Sequence, residues 1–509
     1  MIGRTLSVAL VGVSGHVIDV EAHLAASLPA FTVVGLPDTS LSEARDRVRA
    51  AVASSALTWP ARRITVNLSP ASLPKSGPAT DLAIAVAVLA GAHLIDPREP
   101  SQVVHLGELG LDGHLHAVRG VLPAVAAAVA AGYTRIVVPS ANAAEARLVP
   151  GAQVVAADSL AQVAAMYGCD DAHPSPHPHR DAATTAQAAS TRAAERLDLA
   201  DVRGQHEARW ALEVAAAGGH HLLMVGPPGA GKTMLASRLP TILPPLAPAD
   251  ALAATSIHSI AGTLDVARGL LTAAPFEAPH HSASAAAIVG GGARLARPGA
   301  ISRAHAGVLF LDEAPEFPSS VLQTLRQPLE SGEIVLYRAY GATRYPARFQ
   351  LVLAANPCPC GRFYGRGEAC ECTSVQRRRY FGRLGGPLLD RIDIHVDVMP
   401  VRPATDAPGE SSQDVAARVL AARERAQARF AHLPWTTNAH AASSWIRSAT
   451  PADAIAITMS AQEAGRISAR GVDRIVRVAW TLADLAGDPE PTAEHVSQAM
   501  LLRSREGAR

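Results

Sequence analysis

The stretch "LLMVGPPGAGKT", Leu222 to Thr233, runs an apolar segment into a glycine-rich loop that ends in lysine and threonine. Gly226, Gly231, Lys232 and Thr233 satisfy the spacing G-x-x-x-x-G-K-[ST], and "MLASRL" follows with helix-forming residues. A strand, a loop and a helix in that order make a phosphate site. The glycines let backbone N–H groups wrap a phosphate at a helix N-terminus, Lys232 reaches the β- and γ-phosphates, and the Thr233 hydroxyl is a ligand for Mg²⁺. Pro227, Pro228, Gly229, Ala230 and Met234 complete the segment expected to enclose the nucleotide. A glycine-rich turn without a ligand is the plainer reading, and the flanking strand and helix argue against it.

Working outward, "GVLFLDEAPEF" is a second apolar strand that closes on Asp312 and Glu313. In a nucleotide-hydrolysing site the first carboxylate positions Mg²⁺ and the second polarises the attacking water. A third strand, "FQLVLAAN", ends at Asn356, whose amide offers both a donor and an acceptor to a γ-phosphate or a lytic water. Its alternative role is to cap a turn before Pro357.

The chain has 509 residues, 48 % of them hydrophobic and 18 % charged, which predicts about three domains with aliphatic cores. A net charge of +1 leaves any affinity for nucleic acid to local basic patches. The N-terminus meets Asp19 and Glu21 before any signal-like pattern, and the apolar runs 82–95 and 121–132 are too short to span a bilayer, so a cytoplasmic location with no membrane is expected. Residues 1–168 alternate β-rich runs with alanine-rich helical stretches and predict an α+β domain. Residues 169–195, rich in proline and small residues, predict a flexible linker, in which His173, His177 and His179 lack the pre-organisation a metal site needs. Residues 196–401 predict an α/β core, and 402–509 an all-helical region.

Four of the five cysteines fall in the insertion 358–372, as Cys358, Cys360, Cys370 and Cys372. Four thiolates would hold Zn²⁺ in a closed structural site; a redox pair or free thiols are the alternatives. Around them Arg362, Arg366, Arg377, Arg378, Arg379 and Arg383 interleave with aromatic residues, which suits phosphate contact and base stacking. A second basic segment, "YRAYGATRYPAR" from Tyr337 to Arg348, carries Arg338 and Arg344. The plainer reading of both patches is an intersubunit or solvated face.

These motifs resemble those of an AAA+ ATPase. The words "PHHSAS", "VGGG", "RPGAISRAHAGVLFLDEAPEF" and "GPLLDRIDIHVDV" are similar to the YifB/ComM family of magnesium-chelatase-like ATPases. The resemblance covers nearly the whole chain, since "GLPDTSLSEARDRVRAAV" and "RITVNLSPASLPKSGPATDLAIA" look like that family's N-terminal domain. It implies a Lon-protease-like N-terminal domain, an AAA+ P-loop core and a C-terminal helical lid. Arg391 in "LLDRIDI" matches the family's arginine finger, which acts on a neighbouring subunit's nucleotide and implies a homo-hexameric ring; its plainer role is a salt bridge to Asp390 or Asp393. Arg470 matches a sensor arginine on the lid, with Arg474 and Arg477 on the same helix, and Val202 and Gln205 in "DVRGQ" match a segment packed on adenine. Arg338 matches a residue of the pore hairpin, although Leu336-Tyr337 departs from the family's Ile-Ser. His280 and His281 of "PHHSAS" are expected to pack between helix and loop, with metal binding as the alternative.

In the Lon-like domain Ala79 stands where a serine nucleophile would be and Leu122 near the position of its lysine, so no protease activity is expected, and a protein partner is a role for this domain. The family resemblance implies an ATP hydrolase that moves on single-stranded or branched DNA as a helicase in branch migration, with ATP, Mg²⁺ and Zn²⁺ as its cofactors. The alternatives are a magnesium-chelatase motor subunit and a nucleotide-switched protein scaffold.

Overall fold

A computed structural model describes residues 1–35, 38–73, 75, 77–169, 171–173, 197–292, 296–338, 341–365, 367–400 and 409–503. Most of the expected linker lies outside the described residues, with His177, His179 and also Arg366.

The N-terminal region carries β1 (Ile2–Val11), β2 (Ser14–Ala25), β3 (Ala30–Val34), β4 (Arg63–Ser69), β5 (Val104–His105), β6 (Glu108–Leu109), β7 (Leu115–His116), β8 (Arg135–Pro139) and β9 (Gln153–Ala157). Seven of these form one mixed sheet in the order β3-β4-β2-β1-β5-β8-β9, while β6 and β7 pair separately. Strand β2 shows why: Ile18, Val20, Ala22 and Leu24 are buried while Asp19 and His23 on alternate positions are exposed, the two-residue period of a half-buried strand. The helix Asp81–Gly91 is buried along its entire length.

The central region adds β10 (Leu222–Val225), β11 (Phe276–Glu277), β12 (Gly290–Gly291), β13 (Arg297–Pro298), β14 (Val308–Leu311), β15 (Glu333–Arg338), β16 (Gly341–Pro346), β17 (Gln350–Ala355) and β18 (Ile394–Asp397). A parallel sheet runs β11-β14-β17-β10-β18, and β12–β13 and β15–β16 are two separate antiparallel hairpins. Strands β10, β14 and β17 are buried at every residue, as continuous apolar runs covered on both faces must be. This mixed α/β arrangement with a helical C-terminus fits an AAA+-like fold.

The C-terminal helices share the core of that sheet. On the helix Ala469–Ala486, Ile475, Val478, Ala479 and Leu482 pack with the helix His206–Gly218 and with β10 and β18. Val472, Val476 and Trp480 turn to a smaller cluster with Phe430 and Ile446. The N-terminal sheet also touches the centre: Val13, in the β1–β2 turn, packs against the cluster that holds Leu336 and Tyr345 of the β15–β16 hairpin.

One polar network pins the helical region. Asp393, fully buried, accepts hydrogen bonds from Arg474 Nη1 at 2.8 Å and from the His221 N–H at 3.4 Å. His220 Nδ1 lies 3.2 Å from the same carboxylate, and its Nε2 lies 2.7 Å from Thr481 Oγ1. Burial opposes ionisation, but the Arg474 charge and the His220 contact hold the Asp393 carboxyl well below the usual range. Truncating one partner of a buried pair leaves the other charge uncompensated. Asp393→Ala is therefore expected to cost about 3–5 kcal/mol of stability, seen as a lowered thermal midpoint by circular dichroism; an unchanged midpoint would show that the network does not anchor these helices.

Candidate nucleotide site and adjoining arginine cluster

The parallel sheet brings three chain ends to one edge. Strand β17 lies between β14 and β10, so Asn356, the Asp312–Glu313 pair and the loop after β10 all emerge side by side at the strands' carboxyl ends. Gly226 has no room for a side chain, because a Cβ there would sit 2.0 Å from the Val398 carbonyl oxygen. Gly231 takes φ +94° as it starts the helix Lys232–Arg238, a conformation that L-residues with side chains avoid.

Lys232 is only 7 % exposed. Its ammonium donates to the Gly226 carbonyl at 2.7 Å, the Pro227 carbonyl at 2.9 Å and Asn356 Oδ1 at 3.2 Å. Burial lowers its pKa, while the Asp312 and Glu313 carboxylates act in the opposite sense. A cation satisfied only by neutral oxygens is poised to exchange them for phosphate oxygens.

Thr233 Oγ1 donates to Asp312 Oδ2 at 2.7 Å, and the Glu313 N–H donates to Asp312 Oδ1 at 2.9 Å. A hydroxyl and a carboxylate in contact beside the phosphate loop are the hard oxygen donors that Mg²⁺ takes, so the residues fit that ion. Glu313 follows at φ +51°, with a half-exposed side chain whose Oε2 lies 3.2 Å from His281 Nδ1. The expectation that His281 merely packs between helix and loop missed this contact, since nothing in the spacing links residues 281 and 313. Gln205 joins the site from outside: its Nε2 donates to the Ala230 carbonyl at 3.0 Å and to the Met399 carbonyl at 2.6 Å, with Val202 buried beside it.

The two arginines carried over from the resemblance lie elsewhere. Arg391 precedes β18, whose first residue Ile394 pairs with Leu222, at the end of the sheet opposite the phosphate loop. Its guanidinium pairs with Glu330, not with Asp390 or Asp393. Burial lowers the Arg391 pKa, and the charges of Arg326, Arg470 and Arg474 lower it further, which places all four cations in one neighbourhood. Arg470 is exposed there. Arg474 is taken by Asp393, and Arg477 donates to the Ala441 carbonyl at 2.9 Å. The described chain thus holds phosphate-facing groups at one end of the sheet and a cluster of arginines at the other.

The cysteines converge. The four sulfurs lie within 4.8 Å of one another, with Cys358 Sγ 3.3 Å from Cys360 Sγ and 3.7 Å from Cys370 Sγ. A tetrahedral site with Zn–S bonds of about 2.3 Å needs sulfurs about 3.8 Å apart, so the donor set fits zinc. The backbone N–H of Arg362 holds the Cys360 thiol down to about 6, while burial pushes Cys358 up to about 12. The cysteine loop leans on the phosphate loop, because a Cβ on Gly361 would meet Pro228 Cδ at 2.6 Å.

The basic residues divide. Arg377 stacks over Phe363 at 4.0 Å and donates to the Cys372 carbonyl at 2.9 Å, so it braces the cysteine loop. Arg378 and Arg379 are exposed on the helix Ser374–Gly382. On the β15–β16 hairpin, Arg344 pairs with Glu333 and Tyr337 is 77 % exposed; the Arg338 side chain lies outside the described residues.

With this geometry established, comparison with known proteins identifies the class. The model of the magnesium chelatase subunit ChlI matches residues 198–405, that of subunit ChlI of Mg-chelatase residues 20–142, and that of the ChlI C-terminal region residues 409–503. The chain is 47 % identical over 512 residues to Rv2897c of Mycobacterium tuberculosis, covering 100 % of this chain and 99 % of that one. It is 42 % identical over 504 residues to YifB of Escherichia coli and 40 % identical over 505 residues to the competence protein ComM of Haemophilus influenzae, in both cases covering 97 % of this chain and 96 % of the relative. The chain belongs to the YifB/ComM family of magnesium-chelatase-like AAA+ proteins, and membership implies ATPase activity with ATP and Mg²⁺. Among the described residues no helix is long and apolar enough to cross a membrane.

Lys232→Ala removes the buried cation that the loop carbonyls and Asn356 surround. It is expected to weaken ATP binding by tenfold or more, about 1.4 kcal/mol, in a fluorescent-nucleotide titration; parent-like binding would take Lys232 out of the phosphate site.

Proposed function

We propose that this protein is a ring-forming ATPase that moves along single-stranded or branched DNA, as a helicase or branch-migration motor in recombination or DNA uptake. The observation that carries the reading is the exposed β15–β16 hairpin, with Tyr337 at its far end and its base packed into the cluster that also lines β14 and β17. An exposed aromatic ring, with Arg338 next to it in the sequence, suits stacking on a strand. The similarity to a relative named for competence, ComM, agrees with a role in DNA uptake.

In this reading the 196–401 core binds ATP, Lys232 orients the phosphates and Glu313 draws a proton from the attacking water, while Asn356 senses the γ-phosphate. Thr233 and Asp312 would hold Mg²⁺, which when bound would supply charge neutralisation to the phosphates. Arg391 and Arg470, remote from their own phosphate loop, serve the nucleotide of the next subunit, and this makes a closed ring, a hexamer, the working form. Cys358, Cys360, Cys370 and Cys372 would hold Zn²⁺, which would stiffen a loop too small for a core of its own. Residues 1–168 act as a Lon-like domain without protease chemistry, for Leu122 is buried in an apolar cluster and Ala79 has no nucleophile. They are available to a protein partner, and the cytoplasm is the place of work.

Steady-state ATPase with no DNA, single-stranded DNA and a branched junction, at two salt concentrations and with Glu313→Gln as the blank, tests the motor reading. Salt-sensitive stimulation by DNA is expected. Hydrolysis indifferent to every DNA would instead favour the scaffold. Arg391→Ala alone is expected to be inactive and to regain partial activity when mixed with Glu313→Gln; full activity of Arg391→Ala by itself would refute action across subunits. Elemental analysis is expected to find one zinc per chain, lost in Cys358→Ser; zinc-free parent protein that folds normally would exclude the metal.

A further inference from the structure

The N-terminal region reaches the β15–β16 hairpin through one turn. Gly12, between β1 and β2, is buried at φ +65°, and a Cβ there would collide with the Arg344 carbonyl oxygen and lie 3.4 Å from Thr343 Cγ2. A glycine is what lets the two backbones approach so closely in that conformation. Thr343 pairs with Leu336, so the turn meets β16 one residue pair short of the exposed Tyr337. Val13 beside it packs against the buried cluster that holds Leu336 and Tyr345.

The turn has a firm mount. The helix Val121–Ala130 of the N-terminal region packs on the helix Pro248–Ala261 of the central region. Glu145 is buried at this junction, where its Oε1 accepts from the Leu122 N–H at 3.0 Å and from the Ser259 hydroxyl. Its Oε2 accepts from Asn142 Nδ2 at 3.4 Å. Ile260 serves both sides: its Cγ1 would lie 3.2 Å from a Cβ on Gly120, and its side chain packs against the hairpin's cluster. At the other end of the same helix Asp250 pairs with Arg348, which follows β16. One helix thus carries the N-terminal region and the base of the hairpin, and the β1–β2 turn supports the hairpin nearer its tip. A two-stranded hairpin is marginally stable by itself, and support along its length fixes one orientation before any ligand arrives.

We propose that Gly12 and Val13 are positioning residues for the hairpin, and that residues 1–168 act within the chain as the bracket that holds it ready for a strand. The inference rests on the reading of the hairpin as the strand-binding surface. It gives the N-terminal region a task that needs neither protease chemistry nor a partner protein.

The test uses the full chain and compares the parent with Val13→Ser, Gly12→Ala and Val13→Ile. Amide hydrogen exchange is followed by mass spectrometry in the hairpin, residues 333–346, and in the helix Lys232–Arg238 as a control. Val13→Ser and Gly12→Ala are expected to speed exchange in the hairpin about threefold to tenfold, the weight of one partly buried aliphatic side chain, and to leave the control helix at the parent rate. The Kd for single-stranded DNA is expected to rise by a similar factor, while unstimulated kcat and KM for ATP stay at parent values. Val13→Ile, which keeps the apolar contact, is expected to behave as the parent. Hairpin exchange at the parent rate in both disruptive variants overturns the bracket, and so does acceleration that extends equally to the control helix. Faster hairpin exchange with unchanged DNA affinity overturns its role in strand binding. If the parent binds no DNA, the motor reading fails, while the exchange rates still decide whether the turn holds the hairpin.

Discussion

A buried ammonium governs the central region. Lys232 has three oxygens around it and almost no solvent, and two of those oxygens come from its own loop while the third comes from Asn356 on a different strand. Taking a cation out of water is costly unless each donor finds an acceptor, so the ends of β10 and β17 must stay in register. Strand β14, paired to β17 along its whole length, then brings Asp312 to the Thr233 hydroxyl. The phosphate loop, the Thr233–Asp312 oxygens and the Asn356 amide meet as consequences of one sheet end.

The opposite end of the same sheet has a different electrostatic character. Asp393 is buried there among Arg474, His220 and the backbone of His221, and it ties the start of β18 to the helix Ala469–Ala486. This fixes Arg470, on the first turn of that helix, in the neighbourhood of Arg391. Positive charge gathers there, away from the chain's own phosphate loop, and the Glu330 carboxylate that pairs with Arg391 keeps this cation from standing unpaired.

Two insertions lean on the site from either side. The cysteine loop meets Pro228 of the phosphate loop through Gly361, and the His281 loop meets Glu313. Both adjoin segments that carry exposed arginine or aromatic residues: Arg378 and Arg379 follow the cysteines, and exposed Tyr337 follows Leu336, which shares a buried cluster with Ile288 downstream of His281. Packed side chains thus connect these exposed residues to the surroundings of the phosphate loop.

The local chemistry was legible in the sequence because it depends on neighbours in the chain. Gly226 through Gly231 must be a loop between strand and helix, Asp312 and Glu313 must end an apolar strand, and four cysteines so close together must be able to meet. The resemblance to the family supplied Arg391 and Arg470 as functional arginines without their surroundings. What only the tertiary structure decided is which of these distant groups share a space. The order β11-β14-β17-β10-β18 puts Asn356 against Lys232, the packing of the C-terminal helices puts Arg470 beside Arg391, and the fold of the inserted loop puts His281 against Glu313. Such pairings join residues tens to hundreds of positions apart through close packing and buried charge, and spacing along a chain carries no record of them.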